Sequence, residues 1–192
     1  MIVMERPYPL INRIVGDGIF VRQFVATDAQ ALFGLVDRNR VRLRKRLYWV
    51  DGTRTVSDSQ SFIAYATKLQ ANNGAPTAGI FQHDVMIGTV SLHRINWMRK
   101  SSLLGYWLDE GSEGHGVMTR AAAALCDFGF KELGLHRLEI VCAPDNLATQ
   151  AIAPKLGFKR TPGSREAIWI HDPGMQMVTF AKSNPATSAP AA

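Results

Sequence analysis

The 192-residue sequence predicts one α/β domain built on a mixed sheet. Three observations carry that expectation. A helix-rich first third gives way near residue 77 to three consecutive strand-like runs. A strand, helix, strand series then spans 105–143. Three glycines, Gly111, Gly114 and Gly116, sit at its first strand-to-helix joint. A strand-helix-strand series makes a parallel crossover, whereas the three consecutive runs make an antiparallel meander.

The elements follow in order. Residues 1–17 read as a lead-in. GIFVRQF, Gly18–Phe24, alternates apolar and polar residues as a half-buried strand does. Thr27 with Gln30, and Ser57 with Gln60, have capping-box spacing and predict two helix starts. Between them RNRVRLRKR, Arg38–Arg46, predicts a second short helix. Arg38, Arg42 and Arg46 recur every four residues on it, as neighbours on one helix face do. Strands are predicted over 77–82, 85–96 and 101–109, with turns at His83-Asp84 and Met98–Lys100. The helix after the glycines runs to about Leu133, and Gly134 caps it. HRLEIVCAP is a strand. NLATQAIAPKLGF is a helix that Pro154 should shorten or kink. The remainder reads as two strands turning at Asp172-Pro173-Gly174. The domain is expected over 1–182, with 183–192 a disordered, small-residue tail.

Composition narrows the function classes. No stretch approaches the roughly 20 apolar residues that cross a membrane, and the N-terminus lacks the pattern of a secretion signal. Cys126 and Cys142 make no disulfide framework, which suits a reducing cytoplasm. The net charge of +6 suggests an anionic partner. No helix-turn-helix or aromatic RNA-binding motif accompanies it. The five histidines show no metal-ligand spacing, so no metal is expected.

The glycine joint GSEGHGV is neither a Walker loop, because Val117 stands where lysine is required, nor a dinucleotide fingerprint, because the order is GxxGxG. An anion there must be held by backbone amides and the helix dipole. A tight strand-to-helix turn needing glycine is the plainer alternative.

GYWLD, EGHGVMTRA and EIVCAPDNLATQAIAPKLGF together resemble the GCN5-related N-acetyltransferases (GNAT), and within them the RimJ/RimL-type enzymes that acetylate protein N-termini. The resemblance covers about residues 18–180. Two positions depart from the usual loop: Gly111 where relatives often carry a long polar side chain, and Glu113 where many carry Gln. The resemblance implies a GNAT fold: a mostly antiparallel sheet, one parallel pair that splays open, and flanking helices. It implies acetyl-CoA as co-substrate, held by backbone groups of Trp107 and Leu108, by the amides of Gly114, His115, Gly116, Val117, Met118 and Thr119, and by Asn146. Asn146 also suits a plain helix N-cap. Thr149 matches the position that donates a proton to the leaving thiolate, and Glu166 the position of the base. The alternative for Thr149 is a bond to a backbone carbonyl, and for Glu166 an exposed strand acid or an ion pair with Arg165. The thiol of Cys142 lies beside the expected thiol end of coenzyme A, where a core role is the alternative. Arg42 and Arg46 are expected on the acceptor side, suiting the N-terminus of an acidic ribosomal protein. The alternatives are a small-molecule amine acceptor and a non-catalytic coenzyme A binder. A homodimer is possible through the last strand.

Overall fold

The computed structural model describes residues 8–162, 165–166 and 175–187. Among the described residues nine strands form one sheet: β1 (Asn12–Gly16), β2 (Ile19–Gln23), β3 (Thr77–Gln82), β4 (Val85–Asn96), β5 (Ser101–Leu108), β6 (Arg137–Cys142), β7 (Lys159–Arg160), β8 (Arg165–Glu166) and β9 (Gln176–Ser183). Their order is β1-β2-β3-β4-β5-β6-β9-β7, with β8 also paired to β9. The β5–β6 pair is parallel and the others antiparallel.

Five α-helices among the described residues flank the sheet: α1 (Ala29–Arg38), α2 (Arg40–Arg44), α3 (Val56–Ala71), α4 (Val117–Lys131) and α5 (Leu147–Lys155). Helix α4 lies on one face. It buries Leu125 and Phe128 with Leu92, Leu104, Leu138 and Ile140. Helices α1 and α3 cover the other face, where Leu32, Val36 and Ile63 pack with Phe81 and Met86. Alternation along β4 explains this division. Val90 and Leu92 reach the α4 core, so Thr89, Ser91 and His93 point to the α1/α3 side.

The meander follows the sequence pattern. Strands β3 and β4 have the expected bounds, and His83 and Asp84 both have positive φ in the turn between them. The helix starts differ from expectation. The cap of α3 is Thr55 with Asp58, two residues before Ser57, because Thr55 is the last extended residue (φ −138°, ψ 164°). Ahead of α1 the expected Thr27/Gln30 box is replaced by a short 3-10 turn, Ala26–Asp28. There the Asp28 carboxylate accepts from the Val25 amide and from both Arg22 guanidinium nitrogens (2.7–2.8 Å). The lead-in contains a strand, β1. Pro154 falls in the last turn of α5, which continues through it to Lys155. The segment from 183 is anchored at its start: Asn184 is buried and its amide group donates to the carbonyls of Leu135 and Phe130. The expected turn at Asp172-Pro173-Gly174 lies outside the described residues.

Candidate active site

The parallel pair β5–β6 is joined over only three steps, Ser101↔Arg137, Ser102↔Leu138 and Leu103↔Glu139. Beyond Leu103 the two strands part. Leu104–Leu108 and Ile140–Cys142 then face each other without a ladder, leaving backbone groups that a bound chain can pair. A cavity of about 600 Å³ reaches into this opening and is lined by both diverging strands and by Asn146 and Thr149.

The glycine loop stands at the far end of β5. Gly114 (φ +83°) and Gly116 (φ +70°) both lie in the left-handed region that favours glycine, and Gly116 is the N-cap of α4. Nothing lies within 4 Å of where a Gly114 β-carbon would stand. Val117 and Met118 bury their side chains in the core, and the first amides of α4, as at any helix start, have no partner within the helix. His115 is exposed, and its carbonyl accepts from Arg120 Nη1 at 3.3 Å. Arg120, in the first turn of α4, adds a cation beside the loop that the sequence reading did not single out; its Nε is buried without a partner among the described residues.

A network from α1 and α2 fixes this loop. Asn39, 4% exposed, donates to the Leu35 carbonyl and to Asp109 Oδ1, and accepts from the Glu110 amide and from Arg42. Arg38 pairs with Asp109 at 3.0 Å and Arg42 with Glu113 at 2.8 Å. Burial alone would raise the Asp109 carboxyl, but Arg38 and Asn39 outweigh it and hold it below the usual range. Asn39 also ends α1 (φ −100°, ψ 3°), so the three arginines do not share one helix. The Arg42 guanidinium also donates to the Leu108 carbonyl, so it braces the loop at the opening. Glu113, unusual for the loop, is the partner of Arg42. Arg46 does line the cavity, and Asp145 meets its charge at 2.6 Å.

The remaining expected residues converge on the opening. Asn146 caps α5, its Oδ1 accepting from the Thr149 amide at 3.2 Å, and both line the cavity. The Trp107 side chain joins the α1/α3 core and lines the cavity; it lies 6.3 Å from Trp49, centroid to centroid. Glu166 pairs through its backbone with Gln176, next to the cavity-lining Met177; its side chain lies outside the described atoms. Cys142 lines the cavity, and burial pushes its thiol up to about 11. The sequence reading missed Tyr106. Its buried hydroxyl lacks a hydrogen bond of ordinary geometry; burial pushes its pKa up, and the Thr149 side chain tempers that. Among the described residues, such a buried hydroxyl, with the Thr149 side chain beside it, leaves room for a ligand to complete its hydrogen bonding.

These features together fit acetyl-CoA. The splayed strands offer backbone partners to an extended amide arm, the glycine loop and α4 offer amides to a pyrophosphate, and the cavity receives the thioester end.

Residues 19–159 match the family model described as the Acetyltransferase (GNAT) domain. The chain belongs to that family. It is thereby an N-acetyltransferase, with the GNAT fold that its sheet order and splayed pair display. It is 26% identical over 158 residues, 82% of this chain and 88% of the relative, to the ribosomal-protein-serine acetyltransferase of Escherichia coli (strain K12). It is 32% identical over 160 residues, 81% of this chain and 88% of the relative, to "Probable N-acetyltransferase YjcK" of Bacillus subtilis (strain 168). Among solved structures, RimL, a ribosomal L7/L12 alpha-N-protein acetyltransferase in complex with coenzyme A, superposes with a TM-score of 0.85 at 24% identity, over 92% of this chain and 99% of that one. The microcin C7 self immunity acetyltransferase MccE, in complex with acetyl-CoA and AMP, gives 0.81 at 26% identity, over 88% and 94%. No helix among the described residues is long and apolar enough to cross a membrane.

Proposed function

We propose that the enzyme transfers the acetyl group of acetyl-CoA to the α-amine of a protein N-terminus, by direct attack within a ternary complex. The observation that carries this is the opening of β5 from β6 beyond Leu103, with the glycine loop at one end and the cavity at the other. The relatives named for ribosomal-protein acetylation support a protein acceptor.

Bound acetyl-CoA supplies an activated acyl thioester. The chain's own work is to align the amine, take its proton and stabilise the leaving sulfur. The amides from Gly114 to Thr119 would hold the pyrophosphate, and Asn146 the pantetheine region. The Thr149 hydroxyl, beside Tyr106, would donate to the thiolate. Glu166, on the strand next to Met177, is the proposed base. Arg46 lines the described cavity wall in an ion pair with Asp145, and a preference for acidic acceptors would require an acidic acceptor to compete for it.

A thiol-release assay tests the reading, using acetyl-CoA with Ser- or Ala-initiated peptides in acidic and basic versions, against small primary amines. Release with the peptides is expected, and release with small amines alone overturns it. The second reading, a small aromatic amine, is favoured by Tyr48, Trp49, Phe62 and Tyr65 on the cavity wall. With acetyl-CoA binding intact, absence of turnover on either class would favour a non-catalytic binder.

A further inference from the structure

Three candidates lie outside the residues assigned above: the Arg38–Arg42 brace, the aromatic cavity wall, and a polar cluster on β4. The cluster reaches furthest. Ser91 Oγ lies 2.6 Å from His93 Nε2 and 3.3 Å from the Gly105 carbonyl. Ser91 and His93 both line the cavity. In register, Ser91 faces Gly105 and His93 faces Leu103. Leu103 is the last β5 residue paired to β6, so the pair sits at the vertex of the opening, where the reacting end of an inserted thioester arrives.

The local backbone is shaped for this pair. A β-carbon on Gly105 would stand 2.6 Å from His93 Nε2, so glycine there makes room for the imidazole. The β4–β5 register shifts between His93 and Asn96, and Arg94 within that bulge has φ +51°, a costly conformation for a non-glycine residue. Ser102 donates to the His93 carbonyl at 2.7 Å. Bulge, glycine and serine together fix where the imidazole points.

We propose that Ser91 Oγ binds the acceptor amine by accepting one of its N–H bonds, and that His93 is the positioning residue that holds the hydroxyl. The inference rests on amine acetylation and holds for a protein N-terminus and for a small amine alike. Proton accounting supports it. If His93 Nε2 is bare, the Ser91 proton goes to it, and both Oγ lone pairs stay available. If Nε2 carries the proton, it donates to Oγ, whose own proton goes to the Gly105 carbonyl, and one lone pair remains. Either way Ser91 presents an acceptor, and an amine that gives it an N–H keeps its nitrogen lone pair for the thioester carbon. No covalent bond to Ser91 forms.

The surroundings also favour the amine in its reactive neutral form. Arg46, on the described cavity wall, is matched by Asp145, and Glu166 is the carboxylate proposed to take the amine's proton. His93 reports the same environment: burial, with the charge of Arg94, lowers its pKa to about 4.

Steady-state kinetics decide the matter, with acceptor and acetyl-CoA varied separately, for a Ser-initiated peptide and for benzylamine. Ser91→Ala is expected to lower kcat/KM for the acceptor by about 10- to 100-fold, the range for one hydrogen bond to a reacting group, and to leave the KM for acetyl-CoA within twofold. Ser91→Thr keeps the hydroxyl and should restore most of the loss. His93→Ala should reproduce the acceptor defect, and His93→Gln, which returns a nitrogen near the Nε2 position, should relieve it. An unchanged acceptor kcat/KM in Ser91→Ala overturns the inference, as does a loss that falls equally on acetyl-CoA. If the wild-type enzyme acetylates benzylamine and not the peptide, the N-terminal reading fails while the Ser91 test stands.

Discussion

Cys142 lines the wall where the thioester end arrives, and its surroundings decide what it does there. Burial pushes the thiol up to about 11, and Arg46 and Arg160 only partly oppose this. Burial also pushes Cys126 up to about 12. Both are therefore neutral thiols at working pH and poor nucleophiles. Alkylation of the native protein by iodoacetamide should rise about tenfold per pH unit from pH 7 to 10 without a plateau, because the thiolate fraction does so below the pKa. A plateau near pH 8.5 would mean that Cys142 is not in this environment. Substitution tests Glu166 separately. Glu166→Gln should lower kcat by about 10²- to 10⁴-fold, the range for a lost general base, with little change in the KM for acetyl-CoA. An unchanged rate at neutral pH removes Glu166 from the mechanism. Single residues were readable in the sequence when one local motif named them. Gly114 and Gly116 announce a helix-opening turn, and Asn146 announces a cap. Ser91, His93 and Gly105 carry no such signal, because only strand register brings positions 91 and 105 together.

At the scale of elements, the basic segment changes its meaning most. Its charge and spacing suggest a surface for an acidic partner, yet α2 uses Arg42 to hold the loop that opens α4. Arg42→Ala should therefore raise the KM for acetyl-CoA, by about tenfold for a lost charged hydrogen bond, more than it raises the KM for the acceptor. The opposite ranking would return Arg42 to the acceptor side. A second brace ties β2 to the start of α1. Burial alone would raise the Asp28 carboxyl, but Arg22 and the Val25 amide outweigh it and hold it below its ordinary value. A carboxyl depressed by folding stabilises the fold at pH values above its unfolded pKa, and that contribution is lost as pH falls through the folded value. Asp28→Asn should thus cost about 1.5–3 kcal/mol at pH 7 in urea unfolding, and the difference should shrink below about pH 4. Elements with an unambiguous period and chemically marked turns are the legible ones: β3 and β4 have their expected bounds, and α4 ends at Lys131, two residues before the expected Leu133, with Glu132 and not Gly134 as its C-cap. Strand β1 is not legible, because five residues at a sheet edge with a burial pattern of exposed and half-buried positions carry little hydrophobic alternation. The caps of α1 and α3 were shifted because several Ser, Thr and Asp residues compete near each start, and backbone dihedrals choose among them.

For the molecule as a whole, the mixed sheet and its parallel crossover follow from the order of strands and helices. The parting of β5 from β6 does not. No local pattern marks where a ladder stops, and that expectation came only from the family resemblance. The same parting makes stability depend on ligand. Coenzyme A at 100 times its dissociation constant should stabilise the fold by about 2.7 kcal/mol, since it binds only the folded chain. Thermal melting with and without ligand measures this. Amide hydrogen exchange locates it: protection should rise at 104–108, 114–119 and 140–142, and remain unchanged along β3.

The unpaired run beyond Leu103 amounts to an edge placed inside a sheet instead of at its margin. Edges at a margin recruit strands, and proteins guard them with charge, bulges or brevity. Here the brace of Arg38, Asn39 and Arg42 stands guard on one side, and Asn146 and the α5 start on the other. Until a ligand occupies it, each flank of this opening is laddered on one side only, Leu104–Leu108 to β4 and Ile140–Cys142 to β9. Proteases should find that opening more readily when coenzyme is scarce, so the survival of the protein should track the supply of its acetyl donor.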